Sequence, residues 1–139
     1  MDKLQRTISR VAEYSGIGLF TGEEVKLRFK PSPVNTGIVF VRTDIEGHPK
    51  VPANIEMLYG ARRLVTLEKD GVEIKSVEHV MAALSGLGID NIEIEVNSNE
   101  MPAGDGSSLL FLQLLKGTGV ETLAEPKKYI LFARGNKGK

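Results

Sequence analysis

The 139-residue chain contains no cysteine, which excludes disulfide scaffolds, cysteine-based zinc fingers, iron–sulfur clusters and thiol nucleophiles. It has two histidines, His48 and His79, so any metal site made by this chain alone must lean on carboxylates. No apolar run approaches the ~20 residues that cross a bilayer, and Met1-Asp2-Lys3-Leu4 has no signal-peptide character. The expectation is a cytoplasmic chain without a transmembrane segment. An excess of either charge is missing as well. Eighteen basic and eighteen acidic residues cancel, which removes the net-charge argument for nucleic acid or membrane as a partner. Internal repeats and low-complexity blocks are absent, and no basic–aromatic stripe of the kind that reads RNA appears.

What is present is an ordinary globular balance, 41% hydrophobic and 26% charged. Area scaling gives a folded surface of ~7,100 Å² against ~22,000 Å² unfolded, enough burial for one core without staples. A single domain over residues 1–133 is expected, followed by a basic, glycine-rich tail over 134–139 that frays.

Hydrophobic periodicity divides the chain into a strand-rich first part and a mixed second part. Gln5 to Tyr14 reads as extended, closed by a turn at Ser15-Gly16-Ile17-Gly18. Glu24 to Lys30 alternates, with Val25, Leu27 and Phe29 on one side. Gly37 to Arg42 is a short β-branched run. Leu64 to Leu67 and Val72 to Lys75 flank Asp70-Gly71, a hairpin signal. The period then changes: Val77, Val80, Met81, Leu84 and Leu87 fall at helical spacing, with Ser76 as the expected N-cap and Gly86 and Gly88 as the stop. Asn91 to Asn97 returns to alternation. Ser107 is the expected cap of a second helix through Leu115, ended by Gly117 and Gly119, and Tyr129 to Phe132 reads as a last strand. This order predicts an α+β fold, a two-layer sandwich with a mainly antiparallel sheet and two helices on one face. Val80, Leu84, Phe111 and Leu115 belong in its core.

The sharpest chemical feature is Ser76-Val77-Glu78-His79 at the predicted helix start. A helix N-terminus favours the Glu78 carboxylate and disfavours protonation of His79, and a neutral imidazole is what a metal requires. Adjacent helical residues point about 100° apart, so the two are not stacked ligands on one face. They can converge off the helix end, one as ligand and one as base. A plain helix start with a favourable acid and a solvated histidine is the competing reading. The loop Glu100-Met101-Pro102-Ala103-Gly104-Asp105-Gly106-Ser107-Ser108 can present a carboxylate and backbone N–H groups to a ligand, or serve as a turn in which Asp105 bonds nearby backbone. Gly16 to Gly22 is glycine-rich without the spacing of a phosphate loop. Arg62-Arg63 and His48 read as surface.

Together these segments resemble the UDP-3-O-acyl-N-acetylglucosamine deacetylases. The resemblance runs through Gln5-Arg6-Thr7-Ile8, Ser15-Gly16-Ile17-Gly18-Leu19, Asn35-Thr36-Gly37-Ile38-Val39-Phe40, the sixteen residues Ser76 to Asn91, Glu100-Met101-Pro102 and Asp105-Gly106-Ser107. It implies removal of an acetyl group from a UDP-sugar in lipid A synthesis, one zinc ion, and the first of two similar α+β units of a type shared with a ribosomal protein and GHMP kinases. By the same resemblance Glu78 is the catalytic general base toward the water at zinc and His79 a zinc ligand. Asp105, Leu19 and Thr21 fall at substrate-binding or outer positions.

Two departures accompany it. Phe20 stands where the family's L-H-T-G motif has a histidine, and the second domain, with its H-x-x-x-D zinc ligands, further histidine and acyl tunnel, has no counterpart after Ile130. A catalytic zinc takes three protein ligands plus water, and one is matched here. The leading expectation is therefore the first half of the deacetylase, needing a second-domain chain for activity. The alternative is a non-catalytic derivative acting as a binding or interaction module. Either way, apolar surface is expected near Gly18 to Gly22 and the Glu78 helix end, with self-association or pairing through it.

Overall fold

The computed structural model describes residues 3–53, 65–103 and 107–127. In chain order it forms β1 (Leu4–Ile8), β2 (Ala12–Ile17), β3 (Glu24–Pro31), β4 (Ile38–Arg42), β5 (Lys50–Ala53), β6 (Leu67–Lys69), β7 (Val72–Ile74), α1 (Glu78–Leu87), β8 (Ile92–Val96), α2 (Leu109–Thr118) and β9 (Val120–Pro126). Five strands make the main sheet in the order β2-β3-β8-β4-β5; β4 and β8 run parallel and the other neighbours antiparallel. β1 pairs with β9, and β6 with β7, in separate two-stranded ladders. This is the expected α+β architecture.

Alternation decides which face becomes the core. Register sets Phe29 and Phe40 on either side of Ile94, and Leu27 beside Val96. These side chains are buried on the face that receives the helices. Phe111 of α2 meets Phe29 and Tyr14 edge-on, with ring centroids 6.5 and 5.9 Å apart. Val80, Leu84, Phe111 and Leu115 are all core, as their spacing predicts. The opposite face carries Lys30 between Glu93 and Glu95, 3.3 Å from each, an exposed arrangement of small energetic weight. At the far end of β4, buried Arg42 grips Asp44 through two hydrogen bonds and donates a third to the Glu73 carbonyl, tying the β6–β7 hairpin to the sheet.

Several boundaries differ from the sequence reading. The run Gln5 to Tyr14 is two strands, because the chain bends at Ser9 and Arg10 and passes from the β9 partner to the β3 partner. Ser15 to Ile17 lie inside β2, and the turn comes later, at Leu19 to Thr21. Gly16 is needed for approach rather than turning: a Cβ there would sit 2.9 Å from that of Pro102. Ser76 is not the N-cap. It takes a left-handed φ of 64° to swing the chain into α1, and Val77 occupies the cap without a side-chain bond. Gly117 lies within the last turn of α2, which Gly119 ends. β5 and β9 were not anticipated, and the expected strand at Tyr129 to Phe132, like Leu64, lies outside the described residues.

A buried polar knot joins three of the segments that carry the family resemblance. The Asn91 amide oxygen accepts the Thr36 and Gly37 N–H groups at 3.1 and 2.9 Å, while its Nδ2 donates to Gln5 Oε1 at 2.9 Å. Gln5 Oε1 also accepts Asn35 N–H, and Gln5 Nε2 donates to Asn35 Oδ1 and the Pro126 carbonyl. Thr7 Oγ1 donates to the Asn91 carbonyl at 2.6 Å. These residues thus hold β1, the approach to β4, the start of β8 and β9 together. Removing one member strands its partners, at about 1–3 kcal/mol per buried group left unsatisfied. Asn91→Ala should therefore lose about 2–4 kcal/mol of unfolding free energy in a urea titration. Glu13→Ala, on the exposed sheet face, should change it by less than about 0.5 kcal/mol; equal effects would contradict this account of the knot.

Candidate functional site

At the start of α1 the chain folds back on the segment before β6. Val65 is bound twice: its carbonyl accepts Val77 N–H at 3.2 Å, and its N–H donates to Glu78 Oε1 at 2.9 Å. One carboxylate oxygen of Glu78 is thereby fixed. The other, Oε2, lies 3.8 Å from Nε2 of His79. The Glu78 side chain is 13% exposed and the His79 side chain 37%, so the acid is largely enclosed while the imidazole opens to solvent. Adjacent residues on a helix diverge, yet here they meet at the helix end, because Val65 turns the carboxylate. A carboxylate with one oxygen pinned and an open imidazole beside it can take a proton from a water, or supply part of a cation site. Among the described residues no group of three or more histidine, aspartate or glutamate side chains is arranged to hold a metal.

A second element lies along the same segment. Lys75 bridges to Glu100 in parallel fashion, with Lys75 N–H donating to the Asn99 carbonyl and Met101 N–H to the Lys75 carbonyl. The fully buried Glu100 side chain reaches the turn after β2. Its Oε1 accepts Phe20 N–H at 2.9 Å and its Oε2 accepts Thr21 N–H at 2.8 Å. Burial raises the Glu100 pKa, but those two amides, the Thr21 hydroxyl and the Lys75 charge together outweigh it and hold the carboxyl below its ordinary range. Gly18 leaves the room required, since a Cβ there would come within 2.7 Å of the carboxyl carbon and of Thr21 Oγ1. The turn pushes Leu19 and Phe20 outward, 67% and 56% exposed. Lys75 Nζ lies 5.4 Å from the centre of the Phe20 ring, a cation–π contact. Ile17 is the third large exposed apolar side chain of this rim.

The structure therefore brings Glu78 and His79 together, and joins the turn bearing Leu19 and Thr21 to the segment that leads into them. The Thr21 hydroxyl accepts Glu23 N–H at 3.1 Å and so helps to shape the turn itself. Asp105, Arg62 and Arg63 lie outside the described residues. Ser107 Oγ accepts Leu109 N–H at 3.2 Å from one position before the N-cap Ser108. His48 is in an exposed turn, as expected. Sequence reasoning missed Glu100 as a site residue. Its partners are backbone amides about eighty residues away, which leave no side-chain pattern; the nearest signal is the pairing of an uncommitted acid with a glycine-flanked turn.

A fold and a rim of this kind fit several protein classes, and comparison with known proteins narrows them. The model of the UDP-3-O-acyl N-acetylglycosamine deacetylase family matches residues 5–136. A curated UDP-3-O-acyl-N-acetylglucosamine deacetylase of Pseudoalteromonas atlantica is 46% identical over 137 residues, 97% of this chain and 45% of the relative. The enzyme of the same name from Chromohalobacter salexigens is 42% identical over 94% of this chain and 43% of the relative. That from Shewanella violacea is 45% identical over 91% and 42%. These names place the chain in a lineage of hydrolases. Within it, the chain belongs to the UDP-3-O-acyl N-acetylglycosamine deacetylase family, and it spans somewhat less than half the length of these relatives. Among the described residues no helix is long and apolar enough to cross a membrane.

The buried Glu100 has a pH consequence. A carboxyl whose pKa is lowered by folding contributes stability that is complete above the ordinary carboxylate range and is lost as pH falls through the lowered value. Asp44 acts in the same direction, its hydrogen bonds from Arg42 outweighing burial. Stability should thus decline as pH falls below about 5 and through the lowered carboxyl range. Glu100→Gln should be less stable than the parent at pH 7 yet lose less on acidification, as read by urea midpoints at several pH values. Parallel pH profiles for the two proteins would show that Glu100 is not among the groups responsible.

Proposed function

We propose that this chain is the first half of a zinc-dependent UDP-3-O-acyl-N-acetylglucosamine deacetylase of lipid A synthesis, acting in the cytoplasm and requiring a second domain for turnover. The observation that carries this reading is the Glu78–His79 pair, with Glu78 Oε1 pinned by Val65 N–H and Oε2 left toward the imidazole, in a member of a deacetylase family. Deacetylation adds water across an amide: the carbonyl carbon gains an oxygen, the carbon–nitrogen bond breaks, and acetate and the sugar amine leave. Glu78 is the general base. Val65 fixes the orientation of its carboxylate, so Oε2 is the oxygen that takes the proton from the attacking water. His79 offers a neutral ring nitrogen as one zinc ligand. Zinc, when bound, supplies Lewis acidity toward the carbonyl and the water. The described residues of this chain suit one ligand and one base, and the remaining ligands come from the second domain. Leu19 and Thr21 lie on the substrate side of the rim, and the family resemblance gives Asp105 a substrate-binding or outer role. The exposed Ile17, Leu19 and Phe20 suit contact with a second-domain chain or with another copy.

Phe20 favours one further reading. It stands at the position of a family histidine, exposed and beneath Lys75, and an aromatic ring there supports a non-catalytic binding module rather than a proton-transfer group.

Zinc content and acetate release of the purified chain, with and without a separately made second domain, separate the two. The chain alone should hold zinc weakly and release no acetate, and the added domain should restore both. In the restored enzyme Glu78→Ala should lower turnover by at least about a thousandfold while sparing zinc, whereas His79→Ala should weaken both. Full activity of the chain alone would overturn the half-site reading, and failure of the second domain to restore turnover would favour the binding module.

A further inference from the structure

The buried carboxylate of Glu100 serves a purpose beyond folding. It emerges from the segment bridged to Lys75, three residues before Glu78, and its two oxygens are each spent on one amide of the turn that bears Leu19 and Thr21. The turn is closed on itself by Gly22 N–H to the Gly18 carbonyl at 3.0 Å and Gly18 N–H to the Glu23 carbonyl at 2.9 Å. Neither bond determines how the turn sits relative to α1. The base of the turn is tied to the segment after Glu100 by the Gly18–Pro102 bridge and by Ala103 N–H to the Ile17 carbonyl at 2.9 Å, whereas its tip is held by Glu100 and by the Lys75 ammonium over the Phe20 ring. Both come from the bridged pair Lys75 and Glu100, of which Lys75 lies three residues before Glu78. Two large apolar side chains, Leu19 and Phe20, face water here. Without a tether such a turn would relax to cover them against the domain.

We infer that Glu100 is a positioning residue: its carboxylate fixes the 18–22 turn at a set place relative to Glu78 and His79, so that Leu19, Phe20 and Thr21 are presented outward as a rigid rim. The charged groups facing it are Lys75 on its bridged neighbour; the turn contributes amides and the Thr21 hydroxyl. What the rim is presented to rests on the deacetylase reading, whereas the tether does not. Gly18 is part of the same device, because any side chain there would displace the carboxylate.

Amide hydrogen exchange on the full chain, resolved by NMR, tests this. In Glu100→Ala the Phe20 and Thr21 amides should exchange at least tenfold faster, while those of Leu27 and Ile94 in the central strands stay within twofold. Glu100→Gln retains one acceptor oxygen, so one of the two turn amides should keep its protection. The Phe20 ring signals, displaced by the neighbouring ammonium, should move toward those of a free side chain in Glu100→Ala. If that variant fails to fold, Gly18→Ala is read in its place and should expose the same two amides. Unchanged protection at Phe20 and Thr21 would overturn the inference. So would equal acceleration throughout the sheet, which marks a purely structural carboxylate. Loosening of the turn combined with failure of the zinc and acetate measurements would leave the tether standing and remove the deacetylase reading; protected amides would remove the tether whatever those measurements gave.

Discussion

Asn91 stands where the chain can least tolerate a mistake. It precedes the central strand β8, and its one amide group sets two other segments at once. The reason is economy of hydrogen bonding in a buried place. Thr36 and Gly37 approach β4 with N–H groups that no neighbouring strand can satisfy, and Gln5 enters the interior with an amide of its own. Each needs a partner, and a buried polar group without one costs more than the bond it would form is worth. Asn91 and Gln5 solve both problems mutually. Once they do, β8 has a defined start, its register with β3 and β4 follows, and the apolar faces of Ile92, Ile94 and Val96 come to lie against α1 and α2.

Glu100 is the counterpart of that knot at the 18–22 turn, with one difference. The knot is made of neutral amides and holds strands that would in any case be covered by the core. Glu100 is a buried charge whose hydration has been replaced by amides of a turn on the surface. Charge-assisted bonds are the stronger kind, and their strength is spent on holding apolar side chains out in water. Fold stability alone gives no reason for that expenditure. An element displayed to a ligand or a partner would supply that reason, in keeping with the proposed role of the turn.

The periodic elements were legible and the aperiodic ones were not. β3 and β8 alternate because one face of each is covered, α1 shows its helical spacing because one stripe is buried, and Asp70-Gly71 marks its hairpin by conformational preference. β9 gave no such signal: β1 pairs with its backbone, Val120 packs only partly against the core, and most of its side chains are exposed. β5 is four residues long and includes Pro52, which an edge strand tolerates and a pattern search rejects. Ser76 illustrates a different limit. A serine before a helical run is ordinarily its cap, but a bridge to Glu100 one residue earlier leaves the chain pointing the wrong way, and the left-handed residue that corrects it has to be Ser76. Glu78 and His79 could be singled out in the sequence because they are adjacent at a helix start, and the family resemblance supplied the roles proposed for them. Glu100 works through main-chain groups of residues remote in sequence, and a one-dimensional reading has nothing to match it with.

The pairing of β1 with β9 places the first of the described strands against the last of them. Closing a loop of roughly a hundred residues costs about 4 kcal/mol in chain entropy before any contact rewards it, and contacts so distant slow folding. During synthesis at about 5–20 residues per second, Ile8 and its neighbours wait some 6–20 s for their partner to emerge. Among the described strands, the one made earliest thus pairs with the one made latest, and its exposed edge stays without that partner while the segments between them are made.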